Sequence, residues 1–123
     1  MKNKTAFENL RVYKLSEELA ELVWDVVLGW DSFARDMVGK QIVRSADSIG
    51  ANIAEGTGRG SYQDNRRFAR TARGSLDETQ HFLRRAFRRK LLSADQIKKL
   101  RFIVDNLAPH LNSKSIGRTA TDY

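Results

Sequence analysis

Hydrophobic positions recur along most of this chain at steps of three and four residues. Val12, Leu15, Leu19, Leu22, Val23, Val26 and Trp30 form the first row, while Glu17, Glu18, Glu21 and Asp25 fall elsewhere on the helical wheel. The row predicts a helix from Glu8 to Leu28, ended by Gly29 and Asp31-Ser32. Residues 1–7 read as a frayed lead pinned by Phe7 and Leu10. A second row, Met37, Val38, Ile42, Ala46, Ile49 and Ile53, predicts a helix from about Met37 to Glu55 with Asp36 as its N-cap. Val43, Gly50 and Ala54 give that helix a smaller second apolar edge, so it is expected to pack against more than one neighbour.

The third row holds Phe68, Ala72, Leu76 or Ser75, Thr79, Phe82, Leu83, Ala86 and Phe87, and predicts a helix capped by Ser61 or Asp64 and running to about Lys90. Gly74 in its middle costs about 1 kcal/mol relative to alanine, which marks it as a place where another backbone packs close. Ser93-Ala94-Asp95-Gln96 reads as a capping box that opens a fourth helix. Its stripe is Ile97, Leu100, Ile103 or Val104, Leu107 and Leu111, and Pro109 kinks or ends it. No strand pattern occurs. The rows predict an all-α, antiparallel up-and-down four-helix bundle over residues 1–112, with a polar disordered tail at 113–123. Trp24, Trp30 and Phe33 are expected to be core or bundle-end aromatics.

Between the second and third helices the stretch Ser48-Ile49-Gly50-Ala51-Asn52-Ile53-Ala54-Glu55-Gly56-Thr57-Gly58-Arg59-Gly60 combines small residues with three alternate glycines. Ser45, Ala46, Gly50, Ala51 and Ala54 let another helix approach closely, and the glycines are expected to stop the helix near Glu55 or Gly56. Asn52 and Glu55, followed by Arg59, admit two readings: a solvated helix end, or a partly buried polar network that locks helix register.

Composition narrows the picture. The 123 residues suffice for one domain with a modest core. With no cysteine, disulfides and thiolate metal sites are excluded, and a reducing cytoplasm is the expected location. No apolar run approaches the ~20 residues of a membrane-spanning helix, and the basic start Met1-Lys2-Asn3-Lys4-Thr5 is not expected to be a signal peptide. The formal charge of +7 is unevenly placed: residues 1–58 carry seven Lys/Arg against nine Asp/Glu, and residues 59–123 carry fifteen against six. That asymmetry points to an anionic partner for the second half, or to subunits that join unlike ends.

Candidate chemistry is sparse. Asn52, Glu55 and Asp47 have no histidine near them in sequence, and Ser45 and Ser48 lack an activating context, so no catalytic site is assigned. Gly56-Thr57-Gly58-Arg59-Gly60 links two helices, whereas a phosphate-cradling loop follows a strand. His81, with Asp77 and Glu78 within a turn, lacks metal-ligand spacing, so no metal, cofactor or small-molecule substrate is expected. The arginines carry the functional weight. Arg66, Arg67, Arg70 and Arg73 lie opposite the apolar row of the third helix, as do Arg84, Arg85, Arg88 and Arg89. With Lys90, and with Lys98 and Lys99 on the next helix, they are candidates for binding RNA or DNA phosphates. Few aromatics are interleaved, so base stacking is not indicated. The competing readings are a solvated face, and pairing with Glu17, Glu18 and Glu21 of a neighbouring subunit. In that case the protein would be a scaffold or partner-binding module with no nucleic-acid role.

Four places carry a resemblance. Phe7-Glu8-Asn9-Leu10-Arg11-Val12-Tyr13, Gln41-Ile42-Val43-Arg44-Ser45-Ala46, Ser48 to Gly56, and Phe68-Ala69-Arg70-Thr71-Ala72-Arg73-Gly74-Ser75-Leu76-Asp77-Glu78-Thr79 resemble motifs of the small four-helix-bundle proteins encoded in intervening sequences of bacterial large-subunit ribosomal RNA genes. The likeness spans Phe7 to about Leu111. Two positions depart from the family pattern: Ala34 follows Phe33 where a proline is usual, and Asp77-Glu78 stands where a glutamate is frequent. The resemblance implies an up-and-down four-helix fold and a ring-shaped homo-oligomer, a pentamer. It implies no enzymatic activity, and nucleic-acid association is the usual suggestion for the family. It also favours the network reading, in which Asn52, Glu55, Arg59 and Arg73 form a structural polar group and Glu55 pairs with Arg73 or Arg59.

Overall fold

A computed structural model describes residues 6–58 and 62–113. Four long helices make up most of it: α1 (Ala6–Leu28), α2 (Lys40–Thr57), α3 (Tyr62–Arg88) and α4 (Ala94–Leu107). There is no strand among the described residues. Arg59, Ser61, residues 1–5 and the chain beyond Ser113 lie outside them.

The apolar rows become one core. Leu19, Ile42, Ile49, Leu76, Leu83, Leu100 and Leu107, drawn from all four helices, are fully buried. Burial of each such side chain stabilises the fold by about 1.5–3 kcal/mol relative to exposure. Where helices approach most closely, small residues make the room. A Cβ on Gly50 of α2 would lie 2.9 Å from Ser16 Oγ of α1, and one on Gly39 would lie 2.7 Å from Val27 Cγ1. Along α2 and α3, Ser45 Oγ lies 2.9 Å from Thr79 Oγ1, and the Ser75 hydroxyl donates to Ser48 Oγ at 2.9 Å. The Ser45 hydroxyl itself donates to the Ile42 carbonyl at 3.1 Å. The bonds among these hydroxyls and to the Ile42 carbonyl offset the cost of taking them out of water at an otherwise apolar seam.

The link from α1 to α2 differs from expectation. Asp31, not Asp36, is the N-cap: its carboxylate accepts from the Ala34 backbone N–H at 2.8 Å. A single helical turn, Ser32–Ala34, runs into a π-helical turn, Arg35–Gly39, and on into α2 without a break. The π turn accommodates an extra residue. Ala34 and Val38 face inward, whereas Met37, expected in the apolar row, is exposed: it stands five residues before Ile42, about 140° away on an α-helical wheel. Trp24 and Phe33 are likewise exposed, by 50% and 75%, so of the three expected core aromatics only Trp30 is buried. Its indole N–H donates to the Leu91 carbonyl at 2.9 Å, which ties the end of α1 to the α3–α4 turn.

The second helix ends at Thr57, one residue past the expected stop near Glu55 or Gly56, with Gly58 as its C-cap. Gly56 also serves close approach: a Cβ there would lie 2.9 Å from Phe68 Cβ of α3. One more expectation is corrected. Gly74 is exposed, and among the described residues no atom beyond its own helix backbone lies within 4 Å of where its Cβ would stand, so no other backbone packs on it there. The capping box is present as read: Ser93 Oγ accepts from Gln96 N–H, and Gln96 Oε1 accepts from Ser93 N–H. After α4, a 3-10 turn, Ala108–Leu111, carries Pro109 and ends at Asn112 in the left-handed region (φ 57°).

Candidate nucleic-acid interface

α3 is 27 residues long, roughly 40 Å, and its arginines follow from its period. At 3.6 residues per turn, Arg66, Arg70, Arg73, Arg84 and Arg88 fall within roughly 60° of one another on the wheel. Ala72, Leu76, Thr79, Leu83 and Ala86 occupy the buried side. Arg66, Arg67, Arg70, Arg88, Arg89 and Lys90 are exposed; Arg73, Arg84 and Arg85 are half-buried. Arg84 and Arg85 lay their stems on the bundle so that each Nε is shut off from solvent without a hydrogen-bond partner. Arg67 sits over the Phe68 ring at 4.6 Å and pairs with Asp64 at 3.6 Å.

The lysines of α4 are placed differently. Lys98 and Lys99 line a groove of about 1090 Å³ between α1 and α4, together with Glu17, Glu18, Glu21 and Asp25 of the same chain. Lys99 pairs with Asp95 at 3.2 Å. The groove floor is apolar, with Leu22, Ile103 and the exposed Phe102. Near it, Tyr13 titrates above its ordinary 10.0: the hydrogen bond to Glu17 and the Glu17 charge raise it, and burial adds to them.

The residues read as a polar network are distributed as follows. The Asn52 side-chain amide donates to the Ser48 carbonyl at 2.8 Å and to Ser48 Oγ at 3.1 Å, which joins it to the Ser48–Ser75 contact between α2 and α3. Glu55 is exposed on the last turns of α2, and Arg73 is half-buried on α3.

One grouping was not read from the sequence. Arg66, Arg70 and Arg73 line a concavity of about 310 Å³ with Ala69, His110, Leu111 and Asn112. The 3-10 turn supplies the second wall some forty residues further along the chain. The only sequence signal was the Pro109-His110-Leu111-Asn112 run, which predicts a tight reversal but not what it faces. Among the described residues, no group of His, Asp and Glu side chains is placed to hold a metal ion, and no helix is long and apolar enough to cross a membrane.

A comparison with curated proteins gives no match. A comparison with protein-family profiles does: residues 8–113, which include all four motif stretches apart from Phe7 and nearly all of the bundle, match the 23S rRNA-intervening sequence protein. The chain therefore belongs to the 23S rRNA-intervening sequence protein family.

Proposed function

We propose that the protein is a non-enzymatic, self-associating antiparallel helix bundle that holds nucleic acid by its phosphate backbone. The observation that carries this reading is the arginine stripe of α3. Five arginines, three exposed and two half-buried, line roughly 33 Å of one helix side, a length that spans several successive phosphates. Arginine suits the role because its planar fork matches phosphate oxygens in pairs. The exposed aromatics Trp24, Phe33 and Phe102 lie on other elements, so the contact would be to backbone and sequence-independent.

Self-association is supported by the exposed apolar side chains. Trp24, Leu28, Phe33 and Met37 are 50–75% exposed, and Phe102 is 71% exposed. Apolar surface in this amount marks interaction sites. The pairs Gly39–Val27, Gly50–Ser16, Ser45–Thr79 and Ser48–Ser75 run in opposite chain directions, which supports the up-and-down topology. A closed ring, five-membered as the family resemblance implies, would repeat the arginine stripe around one assembly.

The second reading, a protein-binding scaffold, rests on the groove between α1 and α4, whose apolar floor and charged rim fit a partner segment. Anisotropy of a labelled duplex across a salt series separates the two. Backbone binding requires log affinity to fall with log salt at a slope of about −4 to −5 for five phosphate contacts. It also requires Arg70→Glu with Arg88→Glu to abolish binding. No binding at low salt removes the nucleic-acid reading and leaves the scaffold. Light scattering tests assembly: a 14.0 kDa particle would overturn it, and a pentamer would give about 70 kDa.

A further inference from the structure

We infer that the concavity between α3 and the 3-10 turn is a discrete site for a phosphomonoester, a terminal phosphate group carried on a larger molecule. The inference goes beyond the stripe reading, since the site could fill whether or not the stripe engages a nucleic-acid backbone.

Three observations support it. First, the lining is cationic: Arg66, Arg70 and Arg73 contribute three guanidinium groups, His110 and Asn112 add polar side chains, and no carboxylate lines it. Among the described residues, neither Arg70 nor Arg73 enters an ion pair. A terminal phosphate, with three unesterified oxygens and nearly two negative charges at neutral pH, can engage several such forks at once, whereas an internal phosphodiester offers two oxygens and one charge.

Second, the acid at ion-pair spacing after Arg73 is engaged elsewhere. Asp77 stands four residues after Arg73, the spacing of a helical ion pair, yet its carboxylate accepts from the Ser113 hydroxyl. That bond also fastens the wall of the concavity to α3. The wall is shaped by Asn112 in its left-handed conformation and by the Ser113 N–H donating to the Ala108 carbonyl at 2.9 Å. Third, about 310 Å³ exceeds what one oxyanion fills and reaches the lower end of small-ligand pockets, which leaves space for the sugar that carries the phosphate.

The test titrates inorganic phosphate, then adenosine monophosphate, into the full chain at constant ionic strength up to about 20 mM. The imidazole resonances of the two histidines are the readout, assigned with His81→Asn. His110 should shift saturably and His81 should not. Arg70→Gln should weaken binding about ten-fold or more. Arg88→Gln, on the same helix but outside the concavity, should leave it unchanged. Circular dichroism confirms that both variants are folded. Absence of a saturable His110 shift, or equal weakening by Arg88→Gln, overturns the proposal. Two oligonucleotides then identify the source of the phosphate. If a 5′-phosphorylated strand binds tighter than its 5′-hydroxyl twin, and Arg70→Gln removes the excess, the site takes a nucleic-acid end. If the twins bind alike while the monophosphate saturates His110, the site takes a free nucleotide; either result upholds a phosphomonoester site. The 5′-hydroxyl duplex reports on the stripe alone, so failure of one reading is distinct from failure of the other.

Discussion

Replacing two glycines of the bundle by alanine should move its stability in opposite directions. In a helix interior, alanine is favoured over glycine by about 0.5–1 kcal/mol, because glycine loses more backbone freedom on folding. At Gly74 nothing offsets that gain: the added Cβ points into open space. Gly74→Ala should therefore stabilise by about 0.5–1 kcal/mol. At Gly56 the new Cβ would stand 2.9 Å from Phe68 Cβ and 3.1 Å from Asn65 Oδ1. Carbon atoms in contact prefer about 3.5–4.0 Å, so the methyl overlaps an atom bonded directly to the α3 backbone, and rotation of a side chain cannot relieve it. Overpacking of this kind costs about 1–3 kcal/mol. Gly56 is one residue from the end of α2, where the propensity gain shrinks, so the net loss should be about 1–2 kcal/mol. For a chain of this size those values correspond to a melting point about 3–8 °C lower for Gly56→Ala and about 2–4 °C higher for Gly74→Ala. The assay is thermal and urea unfolding followed by circular dichroism at one fixed protein concentration, because association adds to apparent stability. A Gly56→Ala protein as stable as the parent would refute the close approach of α2 and α3. A destabilised Gly74→Ala protein would refute the open surface at that position.

Trp30→Phe keeps an aromatic ring but removes the N–H that reaches the Leu91 carbonyl together with part of a buried side chain; urea unfolding should register a loss of at least about 1–2 kcal/mol, and an unchanged midpoint would mean the bond contributes nothing. Ser93→Ala dismantles the capping box of α4 and should cost about 1 kcal/mol in the same assay, with Ser93→Asn restoring most of it. Tyr13 should ionise above the ordinary tyrosine value of 10.0 in a spectrophotometric titration, and Glu17→Gln should lower it. Because the fold raises this group, its stabilising contribution is complete below about pH 10 and is lost as pH rises through the folded value. A Tyr13 titration left unchanged by Glu17→Gln would contradict the Tyr13–Glu17 contact.

How far the sequence spoke depended on the range of the interaction. The stripes of α1, α3 and α4 were legible because a 3.6-residue period is a local property, and the Ser93–Gln96 box because it closes within four residues. The start of the second helix was not legible. Its π turn shifts the phase of the pattern by one residue, and nothing in Arg35-Asp36-Met37-Val38-Gly39 announces the insertion. Met37 falls off the apolar stripe even by the α-helical count, since it stands five residues before Ile42; its apolar character and its place beside Val38, not its phase, put it in the row. Trp24 and Phe33 show a second limit. Apolar character says that a side chain gains from burial, but not whether a neighbour in the same chain supplies the cover. The glycines divide similarly: Gly50, Gly56 and Gly74 look alike in sequence, and only the distance to the facing helix tells close packing from open surface. Arg66, Arg70 and Arg73 were legible as a basic face. Their grouping with His110 and Asn112 was not, because it depends on where the chain returns some forty residues later.

The charge asymmetry of the two halves can be apportioned once the groove is known. Lys98 and Lys99 belong to the basic half, yet they line a groove with Glu17, Glu18, Glu21 and Asp25 of the acidic half, so that part of the imbalance is met within one chain. What remains is carried mainly by arginines on α3, where the only acids along the stripe and its flanks are Asp64, Asp77 and Glu78. Asp64 pairs with Arg67, and Asp77 accepts from Ser113. The division by residue type has a physical consequence. Lysines hold strongly hydrated point charges that tolerate a mixed, solvated groove, whereas arginines are more weakly hydrated and hold oxyanions in fixed geometry. In the proposed assembly, a partner of the arginine stripe is therefore selected by phosphate geometry as well as by net charge. Replacing Arg70 and Arg88 together by lysine, which preserves charge and removes the fork, should weaken nucleic-acid binding while leaving its salt slope nearly intact. A purely electrostatic surface would not distinguish the two side chains.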